Sequence, residues 1–156
     1  MNIPYSTHCL SHPKALALDL QQVKKFLKID NCDEDLLLTS LIKSVSMQCQ
    51  NYAGYALVTQ RWQATFDRYV KKYVKLNHKP LKSVDKILLI NSRDRKTEFS
   101  QNCYSVSQEL SRVEFYVYPM AQKIRIEYTC GFGDSYENVP EELQTILLRH
   151  VAFLYE

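Results

Sequence analysis

A chain of 156 residues is the size of one domain, long enough to bury a core without disulfides or metal. Hydrophobic residues make up 46% and charged residues 24%, which excludes wholesale disorder; a net charge of +3 is too small to single out nucleic acid. Apolar runs such as Leu36 to Leu38 and Ile87 to Ile90 fall far short of the roughly 20 residues a membrane-spanning helix needs. Residues Met1 to Pro13 lack the basic and apolar regions of a signal peptide, so synthesis is expected to end in the cytoplasm.

In chain order, residues 1–17 hold Pro4 and Pro13 without periodicity and read as a flexible N-terminal arm. Asp19 is placed to cap a first helix, with Gln22 completing a capping box and Leu18 and Val23 forming a staple. That helix is expected over residues 20–28, burying Leu20, Val23, Phe26 and Leu27 and turning Lys24 to solvent.

Asp33, or Asn31, is the expected cap of a second helix over residues 33–53. Leu37, Leu38, Leu41, Ile42, Val45, Cys49 and Tyr52 keep helical spacing there, and Gly54 stands where a left-handed C-terminal residue is wanted. Beyond Ala56 the period changes to two, with Trp62, Ala64 and Phe66 alternating with polar residues. Tyr73–Leu76, Val84–Ile90, Tyr104–Val106, Val113–Tyr118 and Ile124–Thr129 are rich in β-branched and aromatic residues and read as further strands.

Polar turns are expected at Asn91 to Asp94 and at Tyr118 to Gln122, and Gly131-Phe132-Gly133 ends the sheet. A last helix over 140–155 begins with proline and two glutamates, and Leu143, Ile146, Leu147, His150, Val151 and Leu154 form its expected buried stripe. The fold class that follows is α+β: a three-helix core, two helices N-terminal and one C-terminal, with an inserted antiparallel β unit of five or six strands at about 61–130. Residues 18–156 read as a single domain.

The chemistry-bearing residues form no legible catalytic or metal constellation. Five scattered cysteines include no C-x-x-C pair, and the four histidines share no metal spacing. The run Asp30 to Asp35 departs from a calcium loop at Cys32 and Asp35 and reads as a helix-capping turn. Gly131-Phe132-Gly133 lacks the third glycine and the Lys-Ser/Thr pair of a phosphate loop. No cofactor is expected, and the chain does not read as an enzyme. Lys71, Lys72 and Lys75, interleaved with Tyr69 and Tyr73, are the candidate DNA-facing residues, and a nucleic-acid-binding module is the alternative they carry. Lysines on exposed strands also blunt sheet edges, the plainer reading.

The ordered series Leu20-Gln21-Gln22-Val23 to Asp30, Asp33-Glu34-Asp35, Ala53-Gly54-Tyr55-Ala56-Leu57-Val58-Thr59-Gln60-Arg61-Trp62, Asp67-Arg68, Pro80 to Val84, Tyr128 to Gly133 and Val139-Pro140-Glu141-Glu142-Leu143 to Glu156 resembles the head-tail connector, or head-completion adaptor, family of tailed bacteriophages, prophages and gene transfer agents. The resemblance covers about residues 18 to 156.

It implies a structural subunit that forms a closed ring with itself, roughly twelve copies by cyclic symmetry. The ring is docked on the portal protein, extends the DNA channel with non-specific contact to the DNA, and receives a tail-side stopper or tail-completion protein. It also implies assembly in the host cytoplasm followed by a place in the virion at the head-tail junction, and no membrane partner. Family members often continue past the closing helix with a tail that helps grip the portal. On this reading the candidate subunit or portal interface residues are Leu38, Tyr52, Tyr55, Trp62, Leu147 and Tyr155.

Overall fold

The computed structural model describes residues 4–67 and 71–156. Its elements, in chain order, are β1 (Ser6–Ser11), α1 (Leu20–Leu27), α2 (Asp35–Ala53), β2 (Gln60–Asp67), β3 (Tyr73–Lys75), β4 (Leu81–Ile90), β5 (Lys96–Glu98), β6 (Tyr104–Ser107), β7 (Arg112–Phe115), β8 (Lys123–Cys130) and α3 (Glu141–Tyr155). The fold is α+β, with the expected three helices. The strands form two antiparallel sheets, of five strands in the order β1-β2-β8-β4-β5 and of three in the order β3-β7-β6. That is more than the five or six strands expected, because β1 and β5 carry no apolar alternation.

The chain divides into two compact units: Met1–His12 with Gln60–Gly131, and Pro13–Thr59 with Phe132–Glu156. The first holds the strands and the second the helices, so the β unit is inserted in the helical one, as the element order suggested.

In the β unit, β8 alternates exposed or half-buried residues with buried ones, and Ile124, Ile126, Tyr128 and Cys130 all face inward. It pairs along its whole length with β2 on one side and β4 on the other, which places Ala64, Phe66 and Ile87 beside that apolar row. The register of β4 slips between Val84 and Lys86, and Asp85 is the extra residue. Such a bulge re-aims a side chain. Asp85 accepts from Arg61 Nε at 3.1 Å, Ser83 Oγ at 3.0 Å and Thr129 Oγ1 at 3.1 Å, on the polar face of the sheet.

Residues 1–17, expected as a flexible arm, contain the edge strand β1, whose Ser6–Ser11 backbone pairs with β2 in the register His8 to Gln63. Phe99, bonded through its N–H to the Ile87 carbonyl at 2.8 Å, reaches the three-stranded sheet by stacking on Tyr104 and meeting Phe115 edge-on.

Tyr128 and His78 share a hydrogen bond of 3.1 Å, and the His78 ring lies on Trp62 with centroids 3.8 Å apart. Burial lowers the His78 pKa to about 4 and raises that of Tyr128, so both stay neutral near pH 7.

In the helical unit, Asp19 caps α1 by accepting from the N–H of Gln21 at 3.3 Å, one residue earlier than the capping box predicts. Lys28 closes α1 in the left-handed conformation at φ 59°. Lys24 is buried and Phe26 half-exposed, the reverse of the expected faces. The reason is a partner on the next helix: Lys24 Nζ donates to Asp35 Oδ1 at 2.7 Å, a bond that also raises the lysine pKa.

The same pair starts α2 at Asp35, with Glu34, not Asp33 or Asn31, at the cap position and making no side-chain cap bond. Gly54 ends α2 at φ 72°, as expected. Leu38, Ile42 and Val45 of α2 pack with Val23 of α1 and Leu147 and Val151 of α3 in one core. Tyr52 leaves that stripe and is 97% exposed, and on α3 Ile146, His150 and Leu154 are exposed although their spacing predicted burial.

Gly131 adopts φ 126°, a conformation that favours glycine, where the sheet ends. At Gly133 a Cβ would fall inside contact distance of Asn138 Cβ and Cγ. Asn138 in turn accepts from the Ser135 N–H at 3.4 Å in the turn that leads into α3.

Two outcomes follow. Gly133→Ala cannot be relieved by rotating Asn138, since its Cβ also clashes, and should cost about 1–3 kcal/mol in denaturant unfolding; unchanged stability would contradict this packing. The His78 pKa is depressed in the folded state, so the unfolded chain binds more protons between pH 4 and 6.5, the values that bound this window. Stability should therefore be complete above pH 6.5 and fall as pH drops toward 4, by on the order of 1–2 kcal/mol once solvent screening of the partly exposed ring is allowed for. His78→Gln should flatten that slope, read by Trp62 fluorescence; equal slopes in both proteins would contradict the assignment.

Candidate functional site

Nothing in the described residues gathers three or more His, Cys, Asp or Glu in a metal-holding group. No helix among them is long and apolar enough to cross a membrane. The features that invite a partner are surfaces.

Of the six candidate interface residues, Leu38 and Leu147 are fully buried in the helical core and have no surface to offer. Apolar character selected them, and their own core claims them. Tyr155 is partly buried, and its hydroxyl donates to Glu34 Oε2 at 2.5 Å, which ties the end of α3 to the start of α2 and raises the tyrosine pKa. Tyr55 stacks on Phe132 with centroids 6.0 Å apart, leaving one edge in solvent. Trp62 is half-buried, sandwiched on His78, with Nε1 donating to Gln60 Oε1 at 3.2 Å. Tyr52 alone of the six stands almost free of the surface.

The lysine face takes shape on the three-stranded sheet. Pairing of Val74 with Val113 turns those two inward. The neighbouring pairs Tyr73 with Glu114 and Lys75 with Arg112 therefore share the opposite face, since side chains alternate along a strand. Arg112 lies over the Tyr73 ring at 5.2 Å, and Lys72 Nζ reaches Glu114 Oε1 at 3.1 Å. The basic row is thus partly neutralised by its own strand partner. Lys71 is exposed beside it, while Tyr69 lies outside the described residues.

Two surfaces escaped sequence reasoning. The loop between β7 and β8 displays Tyr116, Val117, Tyr118 and Met120, the last 89% exposed. Both ends of the loop are tied, by the Tyr116 N–H to the Cys103 carbonyl at 2.8 Å and the Gln122 N–H to the Ile90 carbonyl at 3.0 Å. In the helical unit, a groove of about 760 Å³ has Leu18, Phe26 and Leu148 as its apolar lining and Lys25, Glu137 and Glu141 among its charged residues. The aromatic run before Pro119 was the signal of the loop in the sequence, and the groove had none, since spacing placed Phe26 on the buried stripe.

The units also differ in charge. Residues 1–12 with 60–131 hold fourteen Lys and Arg against seven Asp and Glu, a net +7; residues 13–59 with 132–156 hold six against ten, a net −4.

Comparison with solved structures gives matches over nearly the whole chain. A chain in the neck of an empty gene transfer agent particle, computed with C6 symmetry, is similar at a TM-score of 0.85 and 17% identity, covering 96% of this chain and 83% of that one. A chain in the virion of a native gene transfer agent particle matches at 0.82, 17%, 96% and 83%. A chain in the neck of a native particle, computed with C12 symmetry, matches at 0.82 and 16%, covering 96% and 82%. At such identities the likeness is one of fold. Comparison with curated protein sequences gives no significant match. The family model described as Head completion protein matches residues 17–155, so the chain belongs to the head completion protein family, a family of structural bacteriophage proteins and not of enzymes.

Proposed function

We propose that this chain is the head-tail connector subunit of a tailed phage, prophage or gene transfer agent. Copies form a ring, roughly twelve by closed cyclic symmetry, that sits on the portal, extends the DNA channel and receives the tail-side stopper or tail-completion protein. The observation that carries the reading is the family match over residues 17–155. The fold shared with chains from gene transfer agent necks, solved under six-fold and twelve-fold symmetry, supports it.

The physical features agree with such a role. A subunit in a closed ring needs two different patches for its two neighbours, and this one has unspent apolar surface on both units. Tyr52, Tyr55, Trp62 and Tyr155 are candidate contacts for a neighbour or the portal, and Lys71, Lys72 and Lys75 for DNA in the channel. The ring assembles in the host cytoplasm and ends at the head-tail junction of the particle.

The portal ring of the same phage, mixed with the purified chain at moderate salt and weighed by native mass spectrometry, should carry a closed set of copies. A Tyr52→Asp variant, which places a charge on an almost fully exposed candidate contact, should reduce loading, and unchanged loading would remove Tyr52 from the contact. A chain that stays off the portal while binding duplex DNA with a steep salt dependence, lost on exchanging Lys71, Lys72 and Lys75 for Glu, would replace this reading with a nucleic-acid module.

A further inference from the structure

Resting on the ring reading above, we propose that the β7–β8 loop of one copy, Tyr116 to Met120, seats in the groove of the next copy's helical unit between Leu18, Phe26, Tyr136, Glu141, Thr145 and Leu148. The ring contact is then a heterologous one, between units of opposite net charge.

The first ground is unspent apolar surface. Four large side chains within five positions, Tyr116, Val117, Tyr118 and Met120, are more than half exposed in a loop held at both ends by backbone hydrogen bonds. Clusters of this kind mark interaction sites, and tyrosine and methionine are over-represented at the core of interfaces. The groove offers the complement in part, with Phe26 half-exposed beside Leu18, Leu148 and Tyr136, within a rim of polar and charged residues. At about 760 Å³ it has the size that takes a small ligand or a few side chains.

The second ground is charge. The loop is free of charged residues from Tyr116 to Gln122 and is followed by Lys123 and Arg125, within a unit of net +7. The groove carries Glu137 and Glu141 against Lys25, within a unit of net −4. Loop against loop, or groove against groove, would set like charges together and would close as a two-fold dimer. Loop against groove sets unlike charges together and repeats head to tail, the arrangement that builds a ring. DNA is the poorer occupant for either surface, because the loop brings no cation of its own and the groove bears two carboxylates.

The test places a photoreactive benzoylphenylalanine at Met120 in the full chain, assembles rings on the portal of the same phage, irradiates, and maps cross-links by mass spectrometry. Mixing heavy- and light-isotope copies separates contacts between copies from those within one. The expected result is mixed-isotope cross-links to peptides spanning 18–26 and 136–148. A Thr145→Arg variant, placing bulk and a cation in the groove, should load onto the portal on the order of 10–100-fold more weakly with an unchanged circular dichroism spectrum. Rings that form normally but cross-link from Met120 elsewhere, to portal, to DNA or within one copy, or that load Thr145→Arg as well as wild type, would overturn this contact and leave the ring standing. Failure of the unmodified chain to form rings at all would overturn the ring reading and this contact with it.

Discussion

Strand β8 is the element on which the β unit depends. It is hydrogen-bonded along both edges, to β2 and to β4, so the placement of its inward row, Ile124, Ile126, Tyr128 and Cys130, fixes the inward faces of its neighbours. Because side chains alternate strictly along a strand, a one-residue slip of β8 would turn the whole row to solvent. The bulge at Asp85 is accommodated beside it without breaking that rule, and the displaced carboxylate gathers Arg61, Ser83 and Thr129 on the outer face. Burial of Tyr128 and His78 at one end of the row leaves two polar groups that satisfy each other, as buried polar groups must.

The helical unit solves the same problem with side chains. Lys24 is taken into the interior where Asp35 meets it at 2.7 Å and Cys32 Sγ at 3.6 Å, contacts that tie α1 to the start of α2. Tyr155, bonded to Glu34, ties the far end of α3 to the same place. With its core closed by Leu38, Ile42, Leu147 and Val151, the unit still leaves Phe26, Leu36, Tyr52, Ile146 and Phe153 outward. This is the apolar surface on which the proposed ring contacts would draw.

The sequence made the helices legible because their apolar residues recur at three and four, and it made six of the strands legible because β-branched and aromatic residues cluster in them. It hid β1 and β5 because STHCLS and KTE have no buried face of their own; backbone pairing with β2 and β4 alone makes them strands. Lys24 was assigned to solvent because its partner stands eleven positions away on another helix, and local spacing does not report such a pair. Leu38 and Leu147 illustrate the converse: an apolar residue suited to an interface is equally suited to a core, and only the packing decides. The surfaces with most to offer, the Tyr116 to Met120 loop and the groove beside Phe26, are products of which apolar residues the cores leave out.

A structural connector subunit makes its strongest prediction inside the particle. Electron microscopy of lysates from cells lacking only this chain should show DNA-filled heads and separate tails, with joined particles restored by supplying the chain in trans. Tailed, infectious or gene-transferring particles in normal number without the chain would contradict a connector role outright.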